Sequence, residues 1–164
     1  MSQFIIQGGN TLKGNIQVAG FKNSATPILA ACILTKEEIT LHNVPVIEDV
    51  KKMIQILVSL GVKVSWLDTN SLKINAADFR KITTKAPGGC QIGARSMDTH
   101  FKAFDRLGVK VDCDEKIYHL EKTRPADEEI VMSEFSVTGT ENIILAGALN
   151  QGEITVNIAA ADSS

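Results

Sequence analysis

Neither sign of charge dominates this chain, no apolar run is long enough to cross a membrane, and cysteine is scarce. Its 164 residues carry 17 Lys and Arg against 19 Asp and Glu, a formal net charge of -2. That balance argues against a protein that holds nucleic acid or a membrane surface by bulk positive charge. The opening Met1-Ser2-Gln3-Phe4-Ile5-Ile6-Gln7-Gly8 has no basic segment followed by a long apolar run. Neither a signal peptide nor a transmembrane helix is expected, and the expected compartment is the cytoplasm. Cys32, Cys90 and Cys113 are odd in number and show no CxxC spacing, which argues against a disulfide framework or a zinc site. Cys32 lies in an apolar helical run and Cys113 follows a strand pattern, so both are expected as packed thiols. His42, His100 and His119 are scattered; no metal constellation and no cofactor is expected.

What is present is ordinary in composition and unusual in arrangement. Hydrophobic residues make up 44% and charged residues 22%, enough for one domain with a sizeable core or two very small ones. The chain repeats itself. Leu60-Gly61-Val62-Lys63-Val64 recurs as Leu107-Gly108-Val109-Lys110-Val111. The helices ahead of these match as well: Val50, Ile54, Leu57 and Leu60 share one face, as do Met97, Phe101, Phe104 and Leu107. Gly61 and Gly108 stand where a left-handed helix cap is wanted. Strands are expected at 62–67 and 72–74, and again at 109–113 and 118–120. A second correspondence lays Ile28–Leu34 over Ile143–Leu149, Glu38–Leu41 over Glu153–Val156, and the strand Asn15–Val18 over Ile130–Met132.

Together these define an α/β unit in the order βαβαββ. The copies run over about 14–76, 77–121 in shortened form, and 128–164, which stops after its first strand, helix and strand. From opening strand to second helix the first copy spends residues 14–50 and the middle copy only 77–97, so a helix-sized piece is expected to be absent between Ile82 and Pro87. Units of this kind bury apolar faces on one another, and a missing helix would leave apolar surface open to self-association.

Pro87-Gly88-Gly89-Cys90-Gln91-Ile92-Gly93-Ala94-Arg95 sets a thiol among glycines with an arginine close behind. Glycine allows close backbone approach to a ligand, and several N–H groups aimed one way form an anion cradle. A nearby cation or helix start would lower the pKa of Cys90. The loop reads as an anion site with an acid or nucleophile in it; the plainer reading is a Gly-rich connector with a packed cysteine.

Lys22-Asn23 within Gly-Phe-Lys-Asn-Ser-Ala, together with this loop, closely resembles the UDP-N-acetylglucosamine 1-carboxyvinyltransferase family of enolpyruvyl transferases. The resemblance covers essentially the whole chain, from Phe4–Gly8 to Ile154-Thr155-Val156. A sister family, the shikimate-pathway enolpyruvyl transferase, shares the repeat and the lysine but not the cysteine loop. The resemblance implies two similar domains of three βαβαββ units each, an inside-out α/β barrel with helices enclosed by sheets, and an active site in the cleft between them. Residues 1–13 would be a strand segment belonging to a second domain that is absent here, and 14–164 a partial, internally deleted first domain.

The implied reaction moves the enolpyruvyl group of phosphoenolpyruvate to the 3-hydroxyl of UDP-N-acetylglucosamine, opening peptidoglycan synthesis. Cys90 matches the proton donor and the target of fosfomycin-type epoxides. Lys22, Asn23 and Arg95 match phosphoenolpyruvate contacts. Asn23, Arg95, Ser96, Met97, Asp98, Thr99, Ser136 and Val137 match contacts to the nucleotide-sugar. Ser96 and Ser136 would serve equally as helix caps, and His100 reads equally as a residue that supports the site from behind or as a structural one. Glu134 stands where some relatives carry lysine, so that contact is not transferred. The family's general base matches nothing in these residues. Little activity is expected of the chain by itself, and a non-catalytic nucleotide-sugar-binding domain that keeps the fold remains the alternative.

Overall fold

Short apolar runs punctuated by glycine stops build the architecture. The computed structural model describes residues 3–9, 11, 13–78, 84–85, 97–114 and 117–160. Helix α1 spans Lys22–Ala31 and tightens into a single 3-10 turn at Cys32–Leu34; β1 is Glu38–Leu41, α2 Glu48–Ser59, β2 Lys63–Trp66 and β3 Leu72–Asn75. After β4 (Thr84–Lys85) come α3 (Asp98–Arg106), β5 (Val109–Asp114), β6 (Ile117–Lys122), β7 (Glu129–Val131), α4 (Val137–Gly147) and β8 (Thr155–Asn157).

The repeat read from the sequence is visible in the pairing. β1 and β2 flank β3 antiparallel, with Ile39 and Val64 both opposite Ile74. β4 and β5 flank β6 in the same manner, with Thr84 opposite Tyr118 and Val111 opposite Leu120. β7 and β8 pair in parallel, Ile130 opposite Val156, an arrangement that needs the crossover α4 supplies. α2 packs on α1, α1 on α4 and α4 on α3, and the sheets pack against this set of helices. One core gathers Leu29, Val50, Leu57, Leu72 and Ile74 from the first unit. A second gathers Ala103, Leu107, Ile130, Met132 and Ile143 from the later elements.

The glycine stops hold as expected. Gly61 has φ +89° and Gly108 φ +78°. At the end of α2 the Val62 N–H donates to the Leu57 carbonyl and the Gly61 N–H to Val58, both at 3.0 Å, a Schellman closure. At Gly108 an added Cβ would lie 2.0 Å from the Arg124 carbonyl oxygen, so no side chain fits.

Three expectations need correction. The strand foreseen at Asn15–Val18 does not form: Ile16 is 92% and Val18 76% exposed, and among the described residues β1 pairs with β3 alone. Asn43 fastens the segment at its far end, its Nδ2 donating to the Val18 carbonyl and its Oδ1 accepting from the Gly20 N–H, but no ladder extends from there. Cys113 is exposed where Cys32 is buried. It shares a strand face with Val109 and Val111, yet no described residue covers it. Finally, β4 takes the place in the middle unit that β1 takes in the first. The connection shortened relative to the first unit therefore falls ahead of Thr84, within 76–83, rather than between Ile82 and Pro87. The N-terminal segment Phe4–Ile6 forms no strand, and its side chains are 87% or more exposed.

Candidate active site

Lys22 is the first residue of α1, and Phe21 precedes it as an N-cap without a side-chain hydrogen bond. Lys22 Nζ makes an ion pair with Asp49 Oδ2, which comes from the first turn of α2. That cation holds the Asp49 carboxyl below the usual carboxylate range, with a smaller contribution from Lys52. Both side chains are about half exposed, 47% for Lys22 and 48% for Asp49, so the pair stays open to solvent. Asn23 follows on the same turn.

Met97 stands at the N-cap position of α3 without a side-chain hydrogen bond, and Asp98 occupies the first turn, where a negative charge suits the helix dipole. Thr99 is buried, and its hydroxyl donates to Glu134 Oε1. Asn142 Nδ2 donates to Nδ1 of His100 at 2.8 Å. These two bonds tie the start of α3 to the approach and first turns of α4. Ser136 caps α4 through its hydroxyl, which accepts from the Gly139 N–H at 3.1 Å. Thr140 Oγ1 donates to the Ser136 carbonyl and accepts from the Ala160 N–H. An alanine at Gly139 would bring its Cβ to 2.8 Å from Met132 Cε, a contact that the flexible methionine tip can relieve by moving.

Asn23 and Val137 come together. A groove of about 490 Å³ between α1 and α4 is lined by Asn23, Ser24 and Ile28 on one side and Val137, Thr140 and Ile144 on the other. Candidate residues from the first and third units thus share one cavity, and α3 is tethered beside it. Cys90, Arg95 and Ser96 lie outside the described residues, as does the rest of the Gly88–Ala94 loop. Among the described residues, no group of His, Cys, Asp and Glu is arranged to hold a metal ion. No helix among them is long and apolar enough to cross a membrane.

Two contacts matter that sequence spacing alone does not show. Asp49 is one of two acids in the first turn of α2, and its partner Lys22 is too distant in sequence for spacing to connect them. Glu134 was set aside, yet it takes the hydroxyl of Thr99 and places a carboxylate beside the start of α3.

Comparison with known proteins identifies the family and the fold. The sequence profile of the EPSP synthase (3-phosphoshikimate 1-carboxyvinyltransferase) family matches residues 6–86 and 75–163. The two matches meet across the short β3–β4 connection. Curated relatives named UDP-N-acetylglucosamine 1-carboxyvinyltransferase include one from Helicobacter pylori, 35% identical over 175 positions that take in 90% of this chain and 42% of the relative. One from Campylobacter hominis is 34% identical over 92% of this chain and 42% of its own length. One from Acinetobacter guillouiae is 33% identical over 98% of this chain and 45% of its own. The chain therefore spans less than half the length of these relatives. The Acinetobacter guillouiae alignment needs 187 positions, more than the 164 residues available, so it opens gaps in this chain. Among solved structures, the enolpyruvyl transferase NikO from Streptomyces tendae superposes with a TM-score of 0.71 at 17% identity, over 91% of this chain and 42% of that one. The EPSP synthase of Acinetobacter baumannii superposes at 0.70 with 14% identity, over 91% and 41%. The chain belongs to the EPSP synthase (3-phosphoshikimate 1-carboxyvinyltransferase) family of enolpyruvyl transferases.

Proposed function

We propose that the protein supplies one wall of the site of an enzyme that transfers the enolpyruvyl group of phosphoenolpyruvate to the 3-hydroxyl of UDP-N-acetylglucosamine, releasing phosphate at the entry to peptidoglycan synthesis in the cytoplasm, with little activity of its own. The single observation that supports it most is the α1–α4 groove, which unites Asn23 and Val137 from separate units. The names of the curated relatives supply the substrates.

The chemistry is addition followed by elimination. Cys90 protonates the methylene carbon of phosphoenolpyruvate while the sugar hydroxyl, giving up its proton to a base, bonds to the adjacent carbon. Loss of a methyl proton and of phosphate then restores the double bond. Lys22 and Arg95 neutralise the phosphate and carboxylate, where charge-assisted bonds are strongest. The turn Ser96-Met97-Asp98-Thr99 and the cap Ser136-Val137 contact the nucleotide-sugar, with helix-start N–H groups favouring its diphosphate. Glu134 sits beside Thr99 with a charge of the wrong sign for a diphosphate, so the nucleotide has to take Thr99 through its backbone or displace Glu134. The general base lies outside these residues, which supply one wall of the site.

Fosfomycin provides the test, read by mass spectrometry of peptides bearing each cysteine. Cys90 is expected to alkylate faster than buried Cys32 and exposed Cys113. Reaction at Cys90 no faster than at Cys113 would overturn the assignment of Cys90 as the activated thiol and favour a binding domain without turnover.

A further inference from the structure

We infer that Asp49 is the residue that positions Lys22 for its anionic ligand, an inference that rests on the reading of Lys22 as a phosphoenolpyruvate contact. Lys22 stands at the first position of α1 with no acid in that helix's first turn. A cation there faces the positive end of the helix dipole, and its long, rotamer-rich side chain gains by swinging away. Asp49 opposes that. It projects from the first turn of α2, where the dipole favours a carboxylate. It also sits on a firm base, because the neighbouring Val50 is fully buried in the core shared with Leu29 of α1. The Lys22–Asp49 ion pair therefore spans two helices whose packing fixes its geometry. With both partners half exposed, an anion can reach the ammonium without the pair being dismantled.

The cost of ordering the lysine is then met during folding rather than at binding, which is how preorganisation raises affinity. Asp49 itself touches no substrate; its negative charge would repel one. The sign of the effect is therefore diagnostic. Positioning makes Asp49 help an anion bind, whereas a mere competing counterion would hinder it.

The test is calorimetric titration of phosphoenolpyruvate into the full chain and its variants. Asp49→Ala is expected to weaken binding about three- to tenfold, the range that loss of one preordered side chain implies. Asp49→Asn, which keeps an acceptor oxygen, is expected to stay within about twofold of the parent. In a Lys22→Ala background, Asp49→Ala is expected to have no further effect, the mark of a residue acting through another. Unchanged or tighter binding by Asp49→Ala, or an equal loss in the Lys22→Ala background, would overturn the inference while leaving Lys22 as a contact. Unaltered binding by Lys22→Ala alone would instead remove the reading on which it rests.

Discussion

At the scale of single residues, two glycines in equivalent places carry different constraints. Both Gly61 and Gly108 hold a left-handed conformation, which costs roughly 1–2 kcal/mol for a residue with a side chain. At Gly61 an added Cβ would meet the Asp78 carbonyl oxygen at 3.0 Å, a contact that a small shift relieves. At Gly108 it would lie 2.0 Å from the Arg124 carbonyl oxygen and 2.7 Å from that of Pro125. The backbone there is pinned, since Thr123 N–H donates to the Gly108 carbonyl at 2.8 Å. Gly108→Ala is therefore expected to lose at least about 1 kcal/mol more than Gly61→Ala, measured by urea unfolding. Equal losses would contradict the close approach at Gly108. The cap was legible in the sequence because both glycines end a helical periodicity. The approach of Arg124 was not, because it depends on a partner in the next loop.

At the scale of elements, the segment between β6 and β7 is held to α3 by charge. Arg124 and Arg106 both reach the Asp127 carboxylate, at 2.6 Å and 3.3 Å, and Arg124 also donates to the Asp105 carbonyl. Hydrogen bonds from Arg124 and then Arg106 hold the Asp127 carboxyl below the ordinary carboxylate range. A depressed carboxylate pKa in the folded state gives stability that is present above the unfolded value of about 3.9 and is lost as pH falls through the folded one. The stability difference between the parent and Asp127→Asn is expected to persist at neutral pH and to shrink below about pH 4, read from urea midpoints across pH. A difference that stays constant down to acid pH would contradict this account. The element boundaries themselves followed from the sequence where period and stop agreed, as in α2 and β5. Asn15–Val18 has the alternation of a strand, but a strand exists only through its neighbour. With Ile16 and Val18 left exposed, the pattern alone does not make the pairing.

At the scale of the whole molecule, the repeat was the most legible feature, because it is written twice in side-chain order and again in strand pairing. Its gap was legible too, though placed a few residues late; only the pairing of β4 with β6 shows that Thr84–Lys85 already belongs to the second strand. Of the candidate site, Lys22, Asn23, Ser136 and Val137 are named from their matching stretches and Glu134 only as a departure from relatives, while the pairing of Asp49 with Lys22 and of Glu134 with Thr99 is visible only in contacts across the fold. The account's central claim is that these residues supply one wall of a two-walled transferase site, with the proton donor but without the base. Phosphate release from phosphoenolpyruvate in the presence of UDP-N-acetylglucosamine, measured for the 164-residue chain against its Cys90→Ala variant, tests this most directly. The account predicts no release above that variant, and release above it would show that these residues complete the site by themselves and contradict the claim.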